Sequence, residues 1–552
     1  METLLSFVSQ HPEWIPVADS RQVNEHSIFF AIAGSQSDGH AYIPEVIKKG
    51  VAALVLQEEP SSLLSSTASL GKSRLKKEGS TASGQQLPRA SSIAAKSALK
   101  NFTGEVFYVS NSRKAWAEVW RHRSGCPDEK LFLVGITGTN GKTSMAHMAE
   151  HILNIAGDTC AVMGTINHHL QDKVWPTAMT TPGADILFPR LKEFLAEGAK
   201  ACALEISSHG LDQNRAENLN LNAAIFSNLT NDHLDYHKGL EDYFLAKEKL
   251  FTRLLTPSQK KKKIAVINLM DDWAKKIILS TKYKTIYLYE KDSDTVSHQH
   301  RMDFIAEQRK KYPVYTCEIE IVKSDQHGSQ ICLHVEEKND KGELEKIKIG
   351  MNLPIVGRFQ AYNWAQVALS VRDHIGNDAV LQRAAQTFSG IPGRLQKVIL
   401  DQSFKNVFVD YAHTPDALMR SLESLRQITK GQIVVVFGCG GDRDKAKRPL
   451  MAQVAEQGAD QIIVTNDNPR TENPEDIVQD ILSGFDPEKE TLPLILMDRK
   501  QAIAKGLELL KSAEDVLLIA GKGHENYQIV GEQKNHFSDY ETAYELLQKG
   551  EA

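Results

Sequence analysis

The sequence predicts an α/β protein of three domains built on largely parallel sheets. Three observations predict it. Short apolar runs alternate with helix-periodic stretches over most of the 552 residues, the rhythm of sheets covered by helices. The length gives a prior of roughly three to four domains. In the last third of the chain, apolar runs end directly in loops of Gly, polar and charged residues, the place where open α/β sheets bind ligands.

The elements follow in order. Residues 27–32 and 51–56 are β-rich runs, and residues 42–49 between them have helical spacing and stop at Gly50. They predict a small α/β module over residues 1–110. Residues 58–104 turn rich in Ser, Lys, Gly and Ala, with few large apolar residues. That composition reads as an inserted, mobile or partly helical surface segment. The second module, residues 111–393, opens with a buried-strand candidate at 131–136, a Gly-rich turn and a helical stretch from Lys142 to Ile155. Further strand candidates lie at 201–206 and 223–226, while residues 282–348 are charged and alternating. The latter predict an antiparallel, solvent-facing appendage. The third module, residues 394–552, carries apolar runs at 432–437, 461–465 and 515–520, each entering a polar loop.

Composition narrows the function classes. Hydrophobic residues are 41% and charged residues 24%, as in an ordinary globular enzyme. With 65 Lys+Arg against 70 Asp+Glu the net charge is -5, so there is no global basic field for nucleic acid and no polybasic membrane anchor. No apolar run approaches the roughly 20 residues of a membrane span, and the first residues lack a secretory pattern. Six scattered cysteines without a CxxC pair predict free thiols in a reducing, cytoplasmic compartment.

Gly138-Thr139-Asn140-Gly141-Lys142-Thr143 follows a strand candidate and opens a helix. Glycines let backbone N–H groups approach phosphate, a helix N-terminus favours negative charge, and Lys142 can reach terminal phosphates. The Thr143 hydroxyl suits Mg²⁺. The general pattern asks for Gly at 136, where this chain has Ile136, so the loop is a shortened form. Glu205 ends an apolar strand in Glu205-Ile206-Ser207-Ser208-His209-Gly210, a placement suited to a metal or to a helix cap. Residues 231–237, NDHLDYH, pack two His and two Asp after another strand. With no Cys and no HExxH nearby, a hard Mg²⁺ held by Glu205 with help from His233 fits better than zinc.

Four polar loops close the third module: DYAHTPD at 410–416, GCGGDRDK at 438–445, DNPR at 467–470 and GKGHE at 521–525. Any one of them is explained as a solvated turn. All four together predict a ligand pocket.

Taken with Asp19-Ser20-Arg21, Thr180-Thr181-Pro182, Ala246-Lys247 and Gly393-Arg394, these motifs in this order resemble the Mur ligases, which form amide bonds with ATP in peptidoglycan precursor synthesis. The resemblance covers nearly the whole chain. It implies an N-terminal domain that binds UDP, a central P-loop domain that binds ATP with Mg²⁺, and a Rossmann-like C-terminal domain that brings the amino acid. By similarity, Gly138 to Ser144 hold ATP (Gly138, Thr139, Asn140, Gly141, Lys142, Thr143, Ser144). Ala18, Ser20, Ser35, Gln36 and Ser37 hold the UDP part. Thr180, Thr181, Ser207, Gln213 and Arg215 line the path of the muramoyl dipeptide. Lys142, Glu205, His233 and Lys247 are the expected catalytic set, with Thr143, Glu205, His233 and Lys247 around metal. Lys247 matches the family's carbamylated lysine (N6-carboxylysine), whose anionic oxygens suit a second Mg²⁺.

The resemblance further implies that a D-Glu carboxylate takes the γ-phosphoryl group of ATP, and that an amine then attacks the acyl phosphate. Arg443, Asp467, Asn468, Pro469, Arg470, Gly521 and Glu525 are the expected amino-acid residues. Diaminopimelate carries one carboxylate more than lysine, and Arg470 offers a planar fork that matches it. The expected partners are small molecules, UDP-MurNAc-L-Ala-D-Glu, meso-diaminopimelate and ATP, taken up by a monomer. Two alternatives stay open: a ligase for L-lysine or another amino acid, and a non-catalytic scaffold that binds nucleotide.

Overall fold

The computed structural model describes residues 1–34, 37–57, 93–234, 236–291, 295–338, 341–400, 405–489 and 492–549. Most of the Ser/Lys-rich segment therefore lies outside the described residues, as do Ser35 and Gln36 of the expected UDP turn. Its end is a helix, Ile93–Lys100.

The N-terminal sheet has four parallel strands in sequence order: Ile15–Val17, Ser27–Phe30, Ala53–Gln57 and Glu105–Val109. Val, Ile and Phe are buried on both faces of its middle strands, as a helix-covered parallel sheet requires. Ile43 and Val46 of the helix Ile43–Lys48 cover one face. Leu4 and Val8 of Glu2–Gln10 cover the other, with Ala115 and Val119 of Ser112–Arg123. Ala117 of that last helix turns to the next core instead. One helix thus joins the two modules.

The central sheet has eleven strands. Its parallel part runs from Val314–Asp325 through Lys284–Glu290, Ile264–Asn268, Ala223–Phe226, Phe132–Thr137 and Ala201–Glu205 to Cys160–Met163. Antiparallel strands extend both edges. The charged stretch 282–348 departs from the expectation in one respect. Lys284–Glu290 belongs to the parallel part, and the antiparallel ribbon after it buries Cys317, Ile319, Ile331, Leu333 and Val335 on one face. Alternation marked a half-buried ribbon, and the single-strand register decided which half.

One side of this sheet is covered by Lys142–Ile155 and Arg358–Ile375, which bury Met145, Met148, Ala149, Trp364 and Leu369. The other is covered by Phe188, Leu191 and Phe194 of Ala184–Ala196 and by Tyr243, Phe244 and Phe251. The C-terminal sheet is ordered Gln396–Lys397, Asn406–Asp410, Val516–Ala520, Ile433–Phe437, Gln461–Val464, Leu494–Ile495, with only the first strand antiparallel. Val516–Ala520 comes late in the chain yet sits between two early strands. That crossover gathers the loops after Asp410, Phe437, Val464 and Ala520 at one end of the sheet, where doubly wound folds bind ligands.

Candidate active site

The strand Phe132–Thr137 is buried from Leu133 onwards and stops at Gly138, and Lys142 already lies in the first turn of the next helix. Gly138 has φ 151°, and a Cβ there would lie 1.8 Å from Ser227 Oγ. No side chain fits, so the backbone turns there as a phosphate cradle must. Neighbouring loops shape the rest. Asn140 N–H donates to Asn228 Oδ1 (2.9 Å), and Ser227 Oγ donates to Asn140 O (2.7 Å). Asn140 Nδ2 also reaches Asp416 Oδ2 of the C-terminal module at 3.3 Å.

Glu205, at the end of the adjacent strand Ala201–Glu205, is 2% exposed. Its carboxylate accepts from Thr143 Oγ1 (3.0 Å), Thr165 N (2.8 Å) and Thr165 Oγ1 (2.9 Å). A buried carboxylate beside a hydroxyl at the head of a phosphate-type loop is a hard-oxygen donor set. These residues fit Mg²⁺ on a nucleotide.

Lys142 Nζ donates back to Gly138 O and Thr139 O, both at 2.9 Å. Lys247 is 1% exposed and donates to the same Gly138 O at 2.8 Å. Burial, then the neighbouring charge of Lys142, holds the Lys247 amine well below the ordinary lysine range. Burial likewise lowers Lys142, against the pull of Glu205 and Asp232. Tyr243 ties the group together. Its ring lies under Lys247 Nζ (4.3 Å), its hydroxyl meets Thr139 Oγ1 (3.2 Å), and it faces His233 at 6.0 Å between centroids. His233 sits in the left-handed region, φ 54°, with its ring edge-on to His209 at 4.9 Å. Asp235, the second Asp of the NDHLDYH motif, lies outside the described residues.

Five further expected residues form one hydrogen-bonded chain leading from Glu205. Thr181 Oγ1 donates to Glu205 O (2.9 Å) and accepts from Ser207 N (2.9 Å). Arg215 donates to Thr181 O (2.9 Å) and to Gln213 Oε1 (2.7 Å), and Thr180 meets Thr165 at 3.0 Å. Arg113 of the joining helix lies near Arg215, and burial lowers both guanidinium pKa values. Arg113 also donates to Ala33 O (3.2 Å), tying the joining helix to the end of the N-terminal sheet. Ser20 is buried, and its carbonyl accepts from Lys49 (2.8 Å). Ser37 O accepts from Gly34 N (2.8 Å), and Ala18 is exposed.

At the C-terminal loops, Asn468 Nδ2 donates to Glu525 Oε2 (2.8 Å), while Asn468 Oδ1 accepts from Ile529 N (2.9 Å) and Lys522 Nζ (3.2 Å). Arg470 has φ 51°, commits one N–H to Gly441 O (2.7 Å), and takes a backbone bond to Ile529 O. Asp467 is buried, which raises its carboxyl pKa, and it lies so close under Gly521 that a Cβ there would meet Asp467 Oδ2 at 2.6 Å. Pro469 is buried, and Arg443 is exposed with one donor on Asp442 O. The structure thus gathers Asp467, Asn468, Arg470, Gly521 and Glu525 and leaves Arg443 at the rim.

Sequence reasoning passed over several residues. Tyr243 stands four before Lys247 on the helix Leu240–Lys249, so helical spacing was an available signal. Thr165 and Arg113 come from segments without a motif. Arg499 is fully buried, pairs with Asp539 at 2.7 Å, and donates to Ala520 O and Asn466 O. It clamps the ends of two pocket-forming strands from a helix with no local signature.

Residues 136–371 match the Mur ligase middle domain, residues 393–523 the Mur ligase glutamate ligase domain, and residues 17–88 the Mur ligase family catalytic domain. A UDP-N-acetylmuramoyl-L-alanyl-D-glutamate--2,6-diaminopimelate ligase of Clostridioides difficile is 35% identical, over 96% of this chain and 94% of that one. Ligases of the same name from Aquifex aeolicus (36%, covering 98% and 95%) and Haemophilus ducreyi (37%, covering 99% and 100%) are similar to the same extent. A solved structure of a ligase of that name superposes with a TM-score of 0.62 at 27% identity, over 98% of this chain and 95% of the other. A Mycobacterium tuberculosis folylpolyglutamate synthase shares the fold at 15% identity, TM-score 0.51, over 74% of this chain and 92% of its own. With three matched domains in order and relatives above 30% identity along their whole length, the chain belongs to the Mur ligase family.

Proposed function

We propose that this chain is an ATP-dependent ligase that joins meso-diaminopimelate to the D-Glu carboxylate of UDP-MurNAc-L-Ala-D-Glu. One observation carries the reading. Full-length relatives bear that activity in their names, and this chain keeps Arg470, Asn468 and Glu525 assembled in one C-terminal pocket.

In this reading the loop 138–144 binds the ATP phosphates, and Lys142 leaves its carbonyl partners to meet the γ-phosphate. Thr143, Glu205, His233 and a carbamylated Lys247 would hold Mg²⁺, which when bound offsets charge on the phosphate oxygens. The lowered pKa of Lys247 supports carbamylation, because only the neutral amine attacks CO₂. The carbamate N–C bond forms as the amine loses a proton. Ala18, Ser20 and the turn ending at Ser37 take the UDP end. Arg113 and Arg215, two partly buried cations near each other, suit the anionic centre of the substrate. Thr180, Thr181, Ser207, Gln213 and Arg215 lead the dipeptide towards Glu205.

A D-Glu carboxylate oxygen then attacks the γ-phosphorus, and the bond to the ADP oxygen breaks. Lys142 and the loop N–H groups stabilise the charge on the transferred group. The diaminopimelate amine attacks the acyl carbon, the C–O bond to phosphate breaks, and the new amide nitrogen loses a proton. Arg470 holds the far carboxylate, and Asn468 and Glu525 orient the neighbouring amino group. The contact between Asn140 and Asp416 supports a C-terminal module that closes over the nucleotide, shielding the acyl phosphate from water. The six free cysteines support a reducing, cytoplasmic setting. Among the described residues no helix is long and apolar enough to cross a membrane.

Phosphate release tests the proposal: it should require ATP, the UDP-muramoyl dipeptide and diaminopimelate together. Release that is independent of the amino acid would sink the ligase reading.

A further inference from the structure

A second group of ligand-type side chains lies on the helix that the phosphate-binding loop opens. His147 and Glu150 stand three residues apart on Lys142–Ile155 and so share one face. The strand His168–Leu170 pairs antiparallel with Cys160–Met163 and sets His169 against them. Glu150 reaches one nitrogen of each ring, with Oε2 3.5 Å from His147 Nδ1 and Oε1 3.0 Å from His169 Nε2. The rings stack at 5.3 Å between centroids, 19° from parallel. One donor atom from each of the three residues lies within 4.8 Å of the other two. The three side chains are only 12–19% exposed.

The remaining nitrogen of His169 decides the chemistry. Nδ1 is 2.7 Å from Asn167 Oδ1, which can accept its proton; in that tautomer Nε2 offers its lone pair towards the Glu150 carboxylate, 3.0 Å away. Two acceptors 3.0 Å apart need a cation between them, either a proton or a metal. An outer hydrogen bond of this kind also fixes the tautomer of metal-bound histidines.

We propose that His147, Glu150 and His169 bind one divalent transition-metal ion of the zinc class. Two imidazoles and one carboxylate favour Zn²⁺, Co²⁺ or Ni²⁺ over Mg²⁺ or Ca²⁺. Donors about 2.0–2.1 Å from a tetrahedral ion stand roughly 3.3–3.5 Å apart; here each ring nitrogen lies 3.5 or 3.0 Å from one Glu150 oxygen, and the three donors fall within 4.8 Å of one another. Three protein ligands leave a fourth position for water. The ion ties the helix that carries Lys142 and Thr143 in its first turn to the margin of the sheet.

Co²⁺ titration of the full chain in excess Mg²⁺, without nucleotide, tests this through visible absorption. The band should saturate at one equivalent and vanish when Zn²⁺ displaces Co²⁺. His169→Gln and Glu150→Gln should each weaken Co²⁺ binding at least tenfold. Asn167→Ala, which removes only the outer hydrogen bond, should weaken it about tenfold to a hundredfold and keeps the test decisive if a ligand variant fails to fold. Glu205→Gln should leave the band unchanged, placing the ion outside the nucleotide pocket. No band at one equivalent, unchanged affinity in both His169→Gln and Asn167→Ala, or loss of the band in Glu205→Gln would each overturn the proposal.

Discussion

Lys247→Met replaces a buried amine by a side chain of similar length without charge. Lys142 and Lys247 donate to one carbonyl, Gly138 O, over 2.9 and 2.8 Å. Their amines are therefore at most about 6 Å apart, where two full charges repel by about 3 kcal/mol at an effective dielectric near 20. The variant forfeits a charged hydrogen bond of about 1.5–3 kcal/mol, but Gly138 O keeps Lys142 as donor, so no buried acceptor is orphaned. Relief of repulsion and of the buried charge outweighs that loss, for a net gain of about 1–2 kcal/mol. For a domain of the central module's size that corresponds to a rise in Tm of several degrees, at roughly 2–4 °C per kcal/mol.

The pH dependence has a definite sign. Burial lowers the Lys247 pKa in the folded chain, so between that lowered value and the ordinary lysine range the unfolded chain binds more protons. Wild-type stability then rises with pH through this window, and its gap to Lys247→Met closes towards high pH. Bicarbonate adds a second signature. A carbamate at 247 attracts Lys142 instead of repelling it, so bicarbonate should raise the wild-type Tm and leave the variant unmoved. Turnover should nevertheless fall by about a hundredfold or more in the variant. Thermal denaturation across neutral to alkaline pH, in CO₂-free buffer and with bicarbonate, reads all of this. A variant that melts below the wild type at neutral pH, or equal bicarbonate shifts in both proteins, would refute the reasoning.

Gly138→Ala puts a Cβ on Ser227 Oγ and should weaken ATP binding in a nucleotide titration; Ser227→Ala should restore part of the loss by removing that oxygen. Arg499→Met strands the fully buried Asp539 and should cost about 3–5 kcal/mol in chemical denaturation. Adding Asp539→Leu should recover stability without restoring the KM for the amino acid, because Ala520 O and Asn466 O stay unclamped. Arg470→Lys keeps the charge but loses the planar fork, and should raise the diaminopimelate KM roughly tenfold or more, about 1.4 kcal/mol or above, with the KM for ATP unchanged.

Much of the site was legible because it sits where strands end. Apolar runs marked the strands at 132–137, 201–205 and 223–226 to within a residue, and helical periodicity matched Lys142–Ile155 at both ends. Glu205, Lys142 and Asn468 were readable because local motifs mark them. Arg499, Arg113 and Thr165 were not, since each acts through a tertiary contact made by a segment with ordinary local chemistry. The burial of Lys247 was also invisible, because a lysine on an amphipathic helix looks solvated until its packing against Tyr243 is known. The slot of Lys284–Glu290 in the parallel sheet depended on non-local pairing, which alternation alone does not encode.

The central claim is the choice of amino acid, and competition tests it most directly. Chain, ATP, Mg²⁺ and UDP-MurNAc-L-Ala-D-Glu are incubated with equal concentrations of meso-diaminopimelate and L-lysine, and the products are separated by mass. The carboxylate that Arg470 is proposed to hold predicts the diaminopimelate adduct in large excess, with that excess shrinking in Arg470→Lys. A predominant lysine adduct, or equal amounts of the two, would contradict it.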